Sequence, residues 1–427
     1  MISALVIGIV VFLLSGVPIY VSLALSSFIS VIFFSDISPM ISPMVLVHRF
    51  FGAMDNFTLM ALPFFILAAN LMDTGGLSRR ILKTARALVG HIYGGMGMTT
   101  QLASMFFGAL SGSAPSTVVA IGKVMYPELR NCGYSVSFSS GLLASAGSVA
   151  LIIPPSITFI VYASVTGVSV GKLFMSGLGA GIVYGGASLV YIYFYSRKHG
   201  IAKDRKATGE ELAASVKESA RALMIPVIIL GGIYSGVFTP TEAAGISAVY
   251  SIAVGMFVYK EIDVAGLVGA CRATAVSCGQ ILVMVAGAQA LGWILTMGQI
   301  PQFITTKILY SISSKYVFLA LLNLILLVMG MFMEGVASIT IVAPLIFPIA
   351  KQLGIDPVHL GTIIVSNLAI GMFTPPFGMN IFVTSSVAKC DLVEMLPGLA
   401  RFFLVDLAAL ILITYIPWIS LWIPSML

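Results

Sequence analysis

The chain has 427 residues, of which 59% are hydrophobic and 9% charged, with a formal net charge of +6 and a mean hydropathy of +1.07. A soluble surface of this size needs about 25% charged residues, so most of this surface faces lipid and the soluble enzyme classes are excluded. The basic excess is dispersed, which excludes a nucleic-acid partner and fits Lys/Arg-rich cytoplasmic loops. Cys132, Cys271, Cys278 and Cys390 form no CxxC pair, and His48, His91, His199 and His359 are scattered, so neither a redox motif nor a transition-metal site is implied.

In chain order, MISALVIGIVVFLL lacks a basic leader and reads as a retained span. Apolar spans are predicted near 1–16, 18–35 and 57–74. Residues 77–91 are basic, with apolar positions at 81, 82, 85, 88 and 89, the pattern of a helix lying in the interface. Stretch 92–122 is too long for one span and too short for two, and SGSAPS (111–116) interrupts it. Stretch 316–350 repeats that pattern around MEGVAS (333–338). Stretches 134–171 and 357–388 carry Pro-Pro at their centres, in IIPPS (152–156) and FTPPFG (373–378). Unwound backbone at membrane depth must be buried in protein or line a wet cavity. The reading is therefore two re-entrant hairpins, 92–122 and 316–350, and two broken helices, 134–171 and 357–388. Ordinary spans are expected at 173–196, 222–241, 243–259, 273–306 and 407–427, with a second interfacial helix at 302–315.

Adding 221 to a residue number carries Pro154-Pro155 onto Pro375-Pro376, Pro127 onto Pro348 and Gly133 onto Gly354. The halves, roughly 1–205 and 206–427, are thus related. Five crossings in the first half put the second half upside down, the plan of secondary transporters. With loop 197–221 in the cytoplasm, seventeen Lys/Arg fall inside and five outside, as the positive-inside rule requires. The fold class is an all-α polytopic membrane protein of two inverted repeats, each with a re-entrant hairpin and a broken helix, a secondary transporter. Its parts are scaffold spans 1–74 and 222–298, arm helices 75–91 and 299–315, transport regions 92–171 and 316–388, a span with cytoplasmic loop at 172–221 and a C-terminal span at 389–427.

No phosphate-cradling Gly-Lys-Ser/Thr loop, HExxH or GxSxG motif is present, so neither ATP hydrolysis nor an intramembrane enzyme is indicated. The first tip offers Ser111, Gly112, Ser113 and Ser116, with Gly147, Pro154 and Ser156 facing it. The second offers Glu334, Gly335, Ala337 and Ser338, facing Asn367, Gly371, Thr374, Pro375 and Asn380. Hydroxyl and carbonyl oxygens suit a hard cation such as Na⁺, with half-helix ends supplying dipoles. Small residues also serve close helix packing. Glu334 is costly at membrane depth and could order the tip, bind a cation or carry a proton.

SGSAPSTVVAIGKVMYPE (111–128), VALIIPPSITFIVYA (149–163) and AIGMFTPPFGMNIFVTSS (369–386) are the residues by which the whole chain resembles the large membrane subunit of tripartite ATP-independent periplasmic (TRAP) transporters. The resemblance implies a Na⁺-driven importer of an organic acid, of the sialic acid or C4-dicarboxylate type, working by an elevator movement in the bacterial inner membrane. It implies a small four-helix membrane subunit and a periplasmic substrate-binding protein as partners, and no organic cofactor. The family's cation sites at the tips and breaks carry over onto Ser111, Gly112, Ser113, Ser116, Gly147 and Pro154, and onto Glu334, Gly335, Ala337, Asn367, Gly371, Thr374 and Pro375. Ser113, Ser156, Ser338 and Asn380 are the candidates for the substrate. A stand-alone divalent-anion/sodium symporter, working without a binding protein, stays open as the alternative.

Overall fold

A computed structural model of the chain describes residues 2–34, 43–74, 77–201, 204–299 and 314–426, and all regular elements among them are helical. Hairpin 1 pairs Gly95–Ser111 with Ala114–Asn131, and hairpin 2 pairs Lys315–Phe332 with Gly335–Gln352. Broken helix 1 runs Val136–Ser148, a 3₁₀ turn at Val149–Leu151, then Ile157–Thr166. Broken helix 2 runs Pro357–Gly371 and then Met379–Ala388. The repeat offset inferred from the sequence carries Ser111 onto Phe332, Ala114 onto Gly335, Asn131 onto Gln352 and Val136 onto Pro357, so the two halves share their element boundaries as well as their prolines.

Each break has a local cause. Hairpin 1 turns where Gly112 takes φ +57, a left-handed conformation open to glycine, and Ser113 is extended; Pro115 then starts the return arm. Hairpin 2 turns through Met333 and Glu334, both extended. In the broken helices Pro-Pro removes two successive backbone donors; both bonds, Pro154-Pro155 and Pro375-Pro376, are cis. At 1.5 Å rise per residue the half-helices are about 15–22 Å long. Each crosses roughly half of a 30 Å hydrocarbon core, which puts both breaks near mid-depth.

The scaffold departs from expectation in three places. Where one span was predicted near 57–74, Pro43–Met54 and Phe57–Met72 form a pair bent by 44°. The bend falls at Asn56, whose side chain accepts from Thr58 N at 2.9 Å and so competes with the helical ladder. Its repeat partner, Val264–Met297, is one continuous helix of 34 residues. The expected cytoplasmic loop 197–221 is already helical from Gly209, where a Thr208–Glu211 capping box starts Gly209–Tyr234. The last long helix is Leu392–Tyr415 rather than a span starting at 407, so Asp406 lies inside it.

The interfacial helix Leu77–Val89 buries Ile81, Leu82 and Ala85. Thr84 Oγ1 donates to Ser215 O at 2.9 Å and bonds Ser219 Oγ at 2.7 Å, and Lys83 pairs with Glu218 at 3.0 Å. Arg80 pairs with Glu261 at 2.6 Å and lies 3.9 Å over the Tyr259 ring, and Arg86 pairs with Asp204 at 2.8 Å. This arm is therefore fastened to the second repeat's scaffold. Most of its predicted partner, 302–313, lies outside the described residues. Leu5, Leu23 and Leu46 form a separate small core with Ala288, Leu291 and Ile294, apart from a large core that joins the hairpins and broken helices to scaffold residues such as Leu62, Phe65, Ile225 and Met284.

Candidate substrate and cation site

The two hairpin tips meet. A cavity of about 60 Å³ is walled by Gly112, Ser113 and Pro115 of tip 1, Glu334, Gly335 and Val336 of tip 2, and Leu151, Thr158 and Met372 of the broken helices. A second cavity, about 180 Å³, adjoins it between Ser111, Ser113, Ser116 and Glu334 and the scaffold residues Asn70, Ser277 and Gln280. Ser113 and Glu334 line both, and the Glu334 side chain is exposed there rather than packed into the core.

Glycine packing holds the walls together. A Cβ on Gly371 would lie 2.5 Å from Gly330 Cα, so broken helix 2 and hairpin 2 touch backbone to backbone. A Cβ on Gly112 would lie 2.7 Å from Pro155 O, and one on Gly147 would run into the Val118 side chain. Tip 1 thus rests directly on the break of broken helix 1, and the Val118 side chain of hairpin 1 packs on Gly147.

Three helix N-termini converge on the smaller cavity: Ala114–Asn131, Ile157–Thr166 and Gly335–Gln352 begin among its lining residues. Each N-terminus carries free N–H groups and about half a positive charge, a preformed environment for an anion. The ends of Gly95–Ser111, Lys315–Phe332 and Pro357–Gly371 abut the same tips and breaks and supply the opposite dipole and free carbonyls. Among the described residues no group of three His, Cys, Asp or Glu could hold a metal ion. A cation here would take hydroxyl and carbonyl oxygens.

The predicted residues divide by position. Ser111 Oγ bonds Thr117 Oγ1 at 2.9 Å, Thr117 Oγ1 donates to Ser113 O at 2.9 Å, and Ser116 Oγ donates to Ser113 Oγ at 3.2 Å, so tip 1 is one hydroxyl cluster. Ser156 is buried and turned away, donating to Leu151 O at 2.5 Å and bonding Thr158 Oγ1 at 2.7 Å. Ala337 and Ser338 are buried in the return arm, where Ser338 Oγ has no hydrogen-bond partner. Thr374 Oγ1 donates to Ile370 O at 2.7 Å, and Pro154 and Pro375 sit in the breaks. Asn367 donates to Asn323 Oδ1 at 2.8 Å, mid-arm and away from the tip, while its own buried Oδ1 has no partner. Asn380 donates to Ala144 O at 2.9 Å, tying the two broken helices together. The sequence reading missed Asn70, Thr158, Ser277 and Gln280. Their one signal was polarity within apolar spans, which small-residue packing explains equally well.

Two repeats, each setting a hairpin tip beside a broken helix around a shared polar cavity, define a membrane carrier of the secondary-transporter class. Residues 6–419 match the family described as the tripartite ATP-independent periplasmic transporter, DctM component, and the chain belongs to that family. It is 41% identical over 432 residues to the C4-dicarboxylate TRAP transporter large permease protein DctM of Vibrio cholerae, covering 96% of this chain and 95% of that protein. It is 35% identical to the sialic acid TRAP transporter large permease protein SiaM of the same organism, covering 89% of each. It is 39% identical to the isethionate TRAP transporter permease protein DctMQ of Oleidesulfovibrio alaskensis, over 96% of this chain and 64% of that longer protein. The crystal structure of the Alcanivorax borkumensis YdaH transporter shares the fold at TM-score 0.59 and 14% identity, covering 88% of this chain and 87% of that one.

Proposed function

We propose that the chain imports an organic acid, of the sialic acid or C4-dicarboxylate type, together with Na⁺ across the bacterial inner membrane. The observation that carries this reading is the convergence of three helix N-termini on the cavity between the tips. That field stabilises a carboxylate without a buried lysine or arginine. The relatives named for C4-dicarboxylate, sialic acid and isethionate all point to an anionic cargo. The coupling ion is placed on the oxygen-only groups of the tips and breaks: Ser111, Gly112, Ser113, Ser116, Gly147 and Pro154 on one side, and Gly335, Gly371, Thr374 and Pro375 on the other. Glu334, the one carboxylate at this depth in the tips, repels a substrate carboxylate and attracts a cation, so its role is on the cation side.

The partners in this reading are a small four-helix membrane subunit and a periplasmic protein that delivers the acid. The movement is an elevator: hairpins and broken helices shift as one body against 1–74 and 222–298. The glycine contacts that fuse tips to breaks support a transport region that moves as one body.

Uptake into proteoliposomes holding the chain, its small subunit and its binding protein tests the reading, with succinate, sialic acid and isethionate as cargo. Uptake of at least one acid is expected with an inward Na⁺ gradient and no ATP, and Glu334→Gln should raise the Na⁺ concentration for half-maximal uptake about tenfold. Full uptake in K⁺ buffer driven by a pH gradient alone would replace Na⁺ with protons.

A further inference from the structure

We propose that a cavity of about 630 Å³ on the outer side of the scaffold is a docking vestibule, in which Arg49 holds the carboxylate of the incoming acid before it reaches the tips. The inference rests on the organic-acid reading above and adds a site and a substrate preference to it. Two helix faces build the cavity. His48, Arg49, Gly52 and Asp55 come from the end of Pro43–Met54 and the bend after it; Gln289, Trp293 and Thr296 come from successive turns of Val264–Met297. Ser164, Val165 and Pro344 close it from the side of the hairpins and broken helices. Asn56 Nδ2 donates to Ser164 O at 3.4 Å, so the floor joins the scaffold to the body that moves.

Position gives the direction of travel. With the basic loop 197–221 inside, Arg49 and the end of Val264–Met297 face outward. The vestibule and the larger tip cavity adjoin along one helix, where the consecutive residues Val285 and Met284 line the first and the second. An outward shift of the hairpins carries the tips toward the vestibule.

Chemistry gives the ligand. None of the four ion pairs among the described residues involves Arg49. Its planar fork matches a carboxylate bidentately. Asp55 lines the same cavity, so a second substrate carboxylate is repelled there while hydroxyl donors are accepted. Gln289 adds amide groups, and Trp293 an apolar face with one donor, suited to a sugar-like body. The vestibule therefore favours a hydroxylated monocarboxylate over a bare dicarboxylate.

Trp293 supplies the readout, since the chain has 3 tryptophans and the others, Trp418 and Trp422, can be replaced by Phe. Gluconate and succinate are titrated into the purified full chain in lipid nanodiscs while Trp293 fluorescence is followed. Gluconate should give a saturable change, about tenfold weaker in Arg49→Gln and partly recovered in Arg49→Lys, the size of loss expected for one charge-assisted pair. Succinate should bind more weakly, and Asp55→Asn should close the gap. Gln289→Leu, on the opposite wall, should weaken the same titration. No saturable change with either acid, succinate binding tighter than gluconate, or an Arg49→Gln chain that titrates like wild type overturns the proposal. Absent uptake with an intact titration counts against the transport reading alone; intact uptake with equal half-saturation in wild type and Arg49→Gln counts against the vestibule alone.

Discussion

Asp406 and Glu334 are two carboxylates at membrane depth with opposite surroundings. Glu334 opens on the tip cavities, whereas Asp406 is fully buried and accepts from Ser145 Oγ at 2.6 Å and Ser188 Oγ at 2.9 Å. Those serines belong to broken helix 1 and to the helix Val170–Lys198, so one side chain pins three elements around the break. Ser148, one turn on, bonds Tyr184 at 2.8 Å and extends the network. Removing the carboxylate strands both hydroxyls, at roughly 1–3 kcal/mol for each stranded group. Asp406→Ala should therefore lower the thermal unfolding midpoint of the purified protein by several degrees, and Asp406→Asn, which keeps one acceptor, by less. Equal midpoints for wild type and Asp406→Ala would mean that the network does not hold the break. Glu334 was legible in the sequence because it sits in a small-residue run that could not stay helical. Asp406 was not, because its partners lie 261 and 218 positions away and the apolar run after it reads as a complete span by itself.

Among the elements, the breaks were legible and the bends were not. Pro-Pro and Gly-Ser runs remove donors or admit left-handed backbone, a local effect that needs no neighbour. The bend at Asp55-Asn56 depends on a side-chain bond to Thr58 within a segment read as loop and span, and the continuous partner helix Val264–Met297 shows that the repeat does not require it. Glycines at the hairpin contacts are a further case: composition marks them as packing residues, but only the fold shows that Gly330 and Gly371 face each other. A methyl at Gly371 would meet backbone rather than a flexible side chain, so hairpin 2 must move off broken helix 2. Gly371→Ala should cut uptake more than tenfold while the protein still reaches the membrane. Gly186→Ala, where a Cβ meets nothing within 4 Å, should transport normally, since alanine is the better helix former. Wild-type uptake in Gly371→Ala would show that the close approach is not needed for transport.

At the scale of the whole molecule, the sequence repeat foretold two similar halves, and the fold adds a tie between them. The arm helix Leu77–Val89 reaches across to the other half through Glu218 and Glu261 and is tied within its own half to Asp204. Each exposed pair contributes about 0–1 kcal/mol, but the Thr84–Ser219 bond is buried and the three pairs share one helix. In the proposed elevator movement that arm goes with the stationary frame. The chain leaves it through Gly90 to Gly94, where Gly94 takes φ +75 and its carbonyl accepts from Tyr134 Oη, and enters hairpin 1. If the tips slide past the scaffold, the wall of the larger tip cavity is the sliding surface, with Ser116 on the hairpin side and Gln280 on the scaffold side. In a background lacking the four native cysteines, Ser116→Cys and Gln280→Cys should be joined by a short bifunctional reagent, and uptake should then stop. Na⁺ binding, read as Na⁺-dependent protection of the tip from proteolysis, should survive, because the tip itself is not deformed. A link between the arm and the scaffold, Thr84→Cys and Ser219→Cys, whose side chains bond at 2.7 Å, should leave uptake unchanged. Uptake that persists through a quantitative Ser116–Gln280 link would mean that the hairpin does not travel against this helix, and that access alternates by rocking around a fixed site.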